Sequence, residues 1–591
     1  MSRVVNKAAA VWACCVAWGF AGGNVVHAQA GLDAPLRAIE EGLRRQDERV
    51  RQAERPPVAD VLRPAQQLSG ALGPWPAETP CFAIEQAELA GPDAARFAWL
   101  LTNTGLDAHP CLGVQGIGSL VSGLNQRLID RGFATSRVSL PEQNLSSGRL
   151  VLQLHVGRID VVEVRKPDPS AAAAPASGGW HMAFPLAEGG ILNIRDIEQG
   201  VEQARRLPST STTVRLEPGA TPDTSRVVIE RNTPTLMQRL RGGTTLDNSG
   251  TGALGRTQFS GNLSLDDPFG FDDLLGLSVN SNAERPSASH RSQSLVGYYS
   301  IPWGYDTFTV SASQSRFAQY VQGTTARFLS SGSSATAEAR WQRVVWRSEA
   351  AKFAVQAAVS MRRARSFLDD VEVLVQRRRT TAVEVGVSYK HLWSQSVFDG
   401  ELNYRRGVSW GGAQEDLTGA GEGGPTLRPR IWAFAASFAT PVALPSFLSA
   451  ASGDSSAKAM QYSMALRGQY SPDKTLSVDQ LAIGGRGSVR GFTGDTVLLA
   501  ESGFYVRNEL SGALPPQWGI GLQWFAALDV GRVSGPSTVM LPGRQLAGGA
   551  AGVRGRTKAL VFEATLGAPL YRPTGFRGRA LVPMLSLSYL F

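Results

Sequence analysis

The residues able to do chemistry in this chain are charges and glycines rather than nucleophiles or metal ligands. The six histidines (His27, His109, His155, His181, His290 and His391) never fall at metal-ligand spacing. Serines are abundant, yet no G-x-S-x-G nucleophile elbow occurs. The expectation is a protein that is no enzyme, with no catalytic residue, metal or cofactor. The sharpest local signal is Gly484-Gly485-Arg486-Gly487-Ser488-Val489-Arg490-Gly491-Phe492. Its glycines suggest a phosphate cradle, but no helical pattern follows and the spacing fits neither the dinucleotide nor the Walker fingerprint. A second charged position is Asp529, two residues before Gly531. Ile520, Leu522, Trp524, Ala526 and Leu528 alternate as one apolar face, which leaves Gln523, Phe525, Ala527 and Asp529 on the other.

That alternation belongs to a larger pattern. From about residue 236 to the end, apolar and polar residues change places with period two, the mark of strands with two unlike faces. Phe353, Val355, Ala357, Val359 and Met361 alternate with Lys352, Ala354, Gln356, Ala358 and Ser360. Val383, Val385, Val387 and Tyr389 alternate with Glu384, Gly386, Ser388 and Lys390. Sixteen strands over this length leave about 22 residues for each strand and its connection, which suits spanning strands of 9–11 residues joined by turns and loops. A membrane barrel would be oily outside and wet inside; a soluble sandwich would reverse the faces, and alternation alone does not separate them. The chain ends with Leu585, Leu587, Tyr589 and Phe591 on one face. Tyr589 and Phe591 form an aromatic terminus of the kind read by outer-membrane assembly machinery. In such a barrel Arg362-Arg363-Ala364-Arg365 and Arg377-Arg378-Arg379 are solvated loop or lumen charge, not a nucleic-acid site.

Composition agrees. The 591 residues are 43% apolar and 18% charged, with net charge +9 and mean hydropathy −0.11. That is too polar for a bundle of membrane helices and too apolar for a disordered chain. Residues 1–28 carry Arg3 and Lys7, an apolar run and Val26-His27-Ala28, a secretory signal. Residues 29–55 contain an amphipathic helix with Leu32, Leu36, Ile39, Leu43 and Val50 on one stripe. Residues 56–79 are a Pro-rich linker. Two α/β modules follow. In the first, Ala94–Leu101 is expected to be helical, Ile117, Leu120, Val121, Leu124 and Leu128 make a helical stripe closed by Gly132, and Leu150, Leu152 and Leu154 alternate as a strand. In the second, helix Ile194–Leu207 lies between strands near Ile159–Val162 and Val227–Ile229.

These residues become recognisable together. Cys81-Phe82, Trp99-Leu100-Leu101, Cys111-Leu112-Gly113, Leu128-Ile129-Asp130-Arg131-Gly132-Phe133 and Gly157-Arg158-Ile159 resemble the first POTRA domain of B-component transporters in two-partner secretion. Leu192-Asn193-Ile194-Arg195-Asp196-Ile197 with Arg206-Leu207-Pro208 resembles their second. Val489-Arg490-Gly491-Phe492 resembles the tip of the long loop that folds back into the pore in POTRA-barrel transporters. Asp529 and Gly531 resemble the barrel-wall F-x-D-x-G motif, with Ala527 where the family has an aromatic.

The resemblance implies a mainly β protein: a plug helix, then POTRA domains at 80–157 and 158–233, then an approximately 16-stranded transmembrane β-barrel at 234–591. It implies an Arg490–Asp529 contact. It places the chain in the outer membrane of a Gram-negative cell, POTRA domains in the periplasm, where Cys81 and Cys111 are expected to form a disulfide. The expected function is secretion of a large unfolded haemolysin- or adhesin-like partner. The expected partners are that secreted protein, outer-membrane lipids and the barrel assembly machinery, and no nucleic acid. An alternative is a factor that inserts other barrels.

Overall fold

The computed structural model describes residues 61–63, 76–106, 111–167, 179–232, 234–322, 326–416, 424–443, 459–517 and 520–591. The signal peptide, the amphipathic helix at 29–55, most of the linker and the Ala/Pro/Gly-rich insertion after Pro167 lie outside the described residues.

The first module is a helix on a small sheet. Helix α1 (Val114–Asp130) buries Ile117, Leu120, Leu124 and Leu128, one stripe at helical spacing, against Leu150, Leu152 and Leu154. Strand Arg149–His155 carries those leucines and pairs in parallel with Gln86–Ala90 and antiparallel with Arg137–Ser139. Gly132 ends α1 at φ +92, so that Gly132 N–H reaches the Ile129 carbonyl at 2.8 Å and Phe133 N–H the Leu128 carbonyl at 2.8 Å. A residue with a Cβ would resist that left-handed step. Residues Ala94–Leu101, expected as helix, form a 3-10 helix that buries Phe97 and Leu100. Cys81 and Cys111 are joined as a disulfide, Cα to Cα 5.4 Å.

The second module repeats the plan. Strand Thr224–Arg231 lies between Arg158–Arg165 and Thr212–Pro218. After a short helix α2 (Trp180–Ala183), helix α3 (Ile194–Arg205) starts at Asn193, whose side chain accepts the Arg195 N–H at 2.8 Å. Ile197, Val201 and Ala204 pack on Val162, Val227 and Ile229. Sequence alternation missed the edge strand Thr212–Pro218, where only Val214 and Leu216 carry the apolar signal.

After α4 (Leu236–Arg239), sixteen antiparallel strands close into a barrel from Leu240–Asp247 to Val582–Leu590. The fifth to eighth are long: Asp306–Gln322, Arg327–Arg347, Ala351–Leu368 and Arg378–Leu392. The eleventh to fifteenth are Ala459–Tyr470, Ser502–Gln517, Ile520–Ser534, Gln545–Arg556 and Leu560–Tyr571. The two ends of the sheet meet in a short seam from Ser586↔Asp247 to Leu590↔Gly243, extended by paired hydrogen bonds of 3.0 Å between Phe591 and Gly242.

The exposed face decides between barrel and sandwich. Val310, Met361, Val385, Leu402, Leu566 and Leu587 are exposed, whereas inward Gln356, Asn403 and Asp529 are buried. A soluble sandwich would bury the apolar set; a surface belt of this kind faces lipid.

Helix α3 docks the second module on the barrel's turns. Glu202 takes Arg347 at 2.8 Å and Lys352 at 2.5 Å, Tyr305 donates to Asp196 at 2.6 Å, and Gln203 donates to the Gly304 carbonyl at 3.2 Å. That end of the barrel is therefore the one beside the modules. Arg63 N–H also bonds the Glu349 carbonyl there, 2.9 Å away, and Val61 packs on the second module's core.

Candidate functional site

The site is a loop folded into the barrel. Residues 471–501 connect the eleventh and twelfth strands from the end opposite the modules. A small hairpin, Leu481–Ile483 against Leu498–Ala500, stiffens the base of the loop. Its tip is closed by Ser488, whose hydroxyl accepts the N–H groups of Gly484 (3.1 Å) and Gly485 (3.3 Å). Val489 and Phe492 are buried in a cluster with Ile483, Leu498, Val533, Leu546 and Phe576. Phe492 meets Phe576 edge to face with centroids 5.6 Å apart. Such a cluster fixes the loop against one side of the wall.

Arg490 is the anchor. Its Nε lies 2.7 Å from Asp529 Oδ2 and its Nη2 2.8 Å from Asp529 Oδ1, while its backbone N–H donates to the same carboxylate at 2.9 Å. The remaining donors go to Glu509 Oε2 at 2.6 Å and the Asn508 carbonyl at 3.1 Å. Arg490 is 5% exposed and Asp529 0%. This bidentate, desolvated geometry is the strong form of an ion pair, and truncating one partner strands the other.

Close backbone approach makes the clamp possible. Gly491 has φ +100, and a Cβ there would lie 2.3 Å from the Ala568 carbonyl oxygen. On the facing wall, a Cβ on Gly567 would come within 2.9 Å of the Gly491 backbone, and one on Gly548 would overlap the Arg490 carbonyl. Gly531 leaves room for Val489 and Ile483. The loop's far side is tied by Asp495, which accepts Gly252 N–H at 2.8 Å and pairs with Arg256 at 2.8 Å.

The predicted residues thus separate into three places. Val489, Arg490, Gly491, Phe492, Asp529 and Gly531 meet at the clamp. Cys81 and Cys111 lie apart, in the first module. Tyr589 and Phe591 are exposed on the outward face of the seam. Phe525, two residues before the departure at Ala527, is buried on the lumen side with the Arg554 guanidinium over its ring at 5.1 Å. Sequence reading missed Glu509 and Arg554, which pair at 2.8 Å behind Arg490, and the glycines 548 and 567. Parity on Ser502–Gln517 carried the signal for Glu509, because Phe504, Val506 and Leu510 take the other face. Between loop and wall remains a chamber of about 150 Å³ lined by Arg486, Arg507, Glu509, Arg554 and Glu563, so the lumen side is polar. Among the described residues no group of three or more His, Cys, Asp or Glu could hold a metal.

Comparison with known proteins agrees with this geometry. Residues 223–555 match the family described as haemolysin secretion/activation protein ShlB/FhaC/HecB. Residues 82–157 match a ShlB-type POTRA domain and 159–218 a second POTRA domain. The chain is 35% identical over 539 residues to outer membrane transporter CdiB-2 of Burkholderia pseudomallei, covering 88% of this chain and 87% of that protein. Hemolysin transporter protein ShlB of Serratia marcescens is 26% identical over 80% of this chain and 79% of its own length. The solved CdiB of Escherichia coli superposes with a TM-score of 0.76 at 27% identity, covering 94% of this chain and 98% of that one. This chain belongs to the ShlB/FhaC/HecB haemolysin secretion/activation family, a two-partner secretion transporter of the outer membrane with two POTRA domains in the periplasm.

Proposed function

We propose that this transporter captures the extended amino-terminal segment of one large, unfolded, haemolysin- or adhesin-like partner and threads it through a lumen organised by the 471–501 loop. The observation that carries the reading is the buried Arg490 clamp, which spends a desolvated ion pair on holding a loop inside a pore. Capture by backbone pairing is supported by sheet edges that no other strand covers among the described residues, Gln86–Ala90 and Arg137–Ser139 in the first module, Thr212–Pro218 and the part of Arg158–Arg165 beyond Ile159 in the second. An added strand tolerates many side chains, as one transporter serving a long cargo requires. No catalytic step is part of this reading.

The domain limits proposed are 1–28, 29–55, 56–79, 80–157, 158–233 and 234–591, as above. Within them the 29–55 helix is read as a plug for the resting pore. Support comes from Val61, packed on the second module's core, and Arg63, bonded to the turn at Glu349, both on the periplasmic side of the barrel. Tyr589 and Phe591, exposed on the last strand, are read as the assembly signal. The test is deletion of residues 31–53 in the full chain reconstituted in planar bilayers. Higher single-channel conductance with secretion largely retained is expected, and unchanged conductance removes the plug from the mechanism.

A further inference from the structure

The arginine run that the sequence left between loop and lumen is divided by strand parity. On the seventh strand Phe353, Val355, Ala357, Val359 and Met361 face outward, and the next two outward positions are Arg363 and Arg365, both exposed. Arg362 turns inward and donates to Ser334 at 3.3 Å. The five apolar tiers cover about 26 Å along the strand, which at a tilt of about 40° is about 20 Å of height, so the step to Arg363 reaches the top of an apolar band about 25 Å tall. The other end of this strand holds Lys352 against Glu202 of the periplasmic module. Arg363 and Arg365 therefore stand at the outer edge of the membrane, on the lipid side.

Register gathers more charge at the same level. Arg363 is paired directly with Arg379 of the eighth strand. Ser333 of the sixth strand lies between Arg365 on one side and Arg316 of the fifth on the other. Arg316 and Arg379 are exposed on the same outward face, and Arg379 spends one guanidinium donor on the Gly411 carbonyl at 2.9 Å, leaving its other N–H groups for a ligand. Like charges directly opposite on neighbouring strands are unfavourable unless something neutralises them. No outward position on the described outer halves of these four strands is Asp or Glu. Of the acids in the adjoining loop, Glu372 is held by Arg377 at 2.5 Å and also feels the charge of Arg365, Asp369 accepts the Leu329 N–H at 2.7 Å, and Asp370 is exposed at the turn. Arg316 and Arg363 have no ion pair among the described residues.

We propose that Arg316, Arg363, Arg365 and Arg379 form a binding site for the phosphate groups of a phosphorylated glycolipid in the outer leaflet. Guanidinium forks suit phosphate oxygens, which they engage two at a time. The apolar tiers beneath would receive the acyl chains of the same molecule, which a free anion cannot use. Cargo in the lumen cannot reach this face, so the site is separate from the transport path. It would fix the depth and rotation of the long fifth to eighth strands, which carry the turns that α3 grips from below.

The test uses the full-length protein in detergent, with diphosphorylated lipid A and fully dephosphorylated lipid A as probes and native mass spectrometry as readout. The combined variant Arg316→Gln/Arg363→Gln/Arg365→Gln is expected to bind the diphosphorylated lipid about tenfold more weakly or worse. The matching Lys variant should retain most binding, and raised salt should weaken the wild-type complex. Equal affinity in the Gln variant, or equal binding of both lipids by the wild type, overturns the proposal. Displacement of lipid A by excess inorganic phosphate would make this a free-anion site and overturn the lipid assignment. Should the Gln variant fail to insert, the salt and dephosphorylated-lipid arms on the wild type decide the matter alone.

Discussion

Two clusters of buried charge tie other parts of the chain to the barrel wall, and they are balanced in opposite ways. At the pore loop, Asp529 and Glu509 face Arg490 and Arg554, with Arg507 Nε 3.9 Å from Asp529. Every carboxylate there has a guanidinium. At the periplasmic strand end and turn 266–273, four aspartates (Asp266, Asp267, Asp272 and Asp273) crowd against the second POTRA domain. Arg241 takes Asp266 at 2.6 Å, and Arg231, at the end of the domain's central strand, takes Asp272 and lies 4.0 Å from Asp267. Burial, and then the neighbouring Asp272, push the Asp267 carboxyl up to about 6. Burial also raises Asp272 despite its arginine. A clamp in which three guanidiniums cover two carboxylates holds one position at any physiological pH. A joint with surplus acid holds best when one acid is protonated. The difference separates a fixed part of the transporter from an adjustable one.

The largest expected effect tests the fixed part. Arg490→Ala and Asp529→Ala should each lose about 3–5 kcal/mol of loop anchoring and cripple secretion. Barrel insertion should survive, checked by heat-modifiable migration on a gel. If the pair acts as one unit, the double variant is scarcely worse than either single one. Additive losses would mean that the two residues work separately.

A covalent tie supplies a reference that no proton moves. The Cys81–Cys111 bridge closes a separation of 30 residues. Cys81→Ser with Cys111→Ser should destabilise the first POTRA domain by about 3–4 kcal/mol, read as a lower denaturant midpoint for that domain. Two free thiols found by alkylation of the native, unreduced protein would contradict the bridge.

Glu509→Gln sharpens the comparison by unbalancing the clamp while leaving Asp529 in place. A loss of about 1.5–3 kcal/mol and partial secretion are expected, because a charged hydrogen bond to Arg490 and one to Arg554 both weaken.

The smallest effect belongs to the adjustable joint. Asp267 has a folded pKa above its unfolded value, so its contribution is complete below about pH 4 and is lost as pH rises through about 6. The folded state of the detergent-solubilised chain, read by its melting, should therefore be favoured at pH 5 over pH 7.5 by about 1–2 kcal/mol from this group, allowing for solvent screening. Asp267→Asn should erase that difference. A pH dependence unchanged in the variant would assign it elsewhere.

Much of this was legible in the chain. The helical stripe of α1 ended by Gly132, the alternation of 353–361, and the inward parity of Asp529 all follow from spacing along a few residues. The 3-10 turn at Ala94–Leu101 was less so, because i, i+3 and i, i+4 apolar spacing look alike over eight residues. Glu509 was readable by parity on its strand, but nothing local connects it with an arginine 19 positions earlier in another element.

Period-two alternation, helical stripes and glycine punctuation are properties of neighbouring residues, so the sequence by itself determined the elements and the two faces of each strand. Which face meets lipid, and which distant residues meet one another, came from closure. A closed sheet has one register for every pair, and that register sets Asp529 between Arg507 and Gly548, while the hairpin and apolar cluster of the inserted loop bring Arg490 to Asp529 across 39 positions. The same register also aligns Arg363 with Arg379 and, through Ser333, Arg365 with Arg316. Register is set by the hydrogen bonds of the whole ring, and no segment contains that information alone.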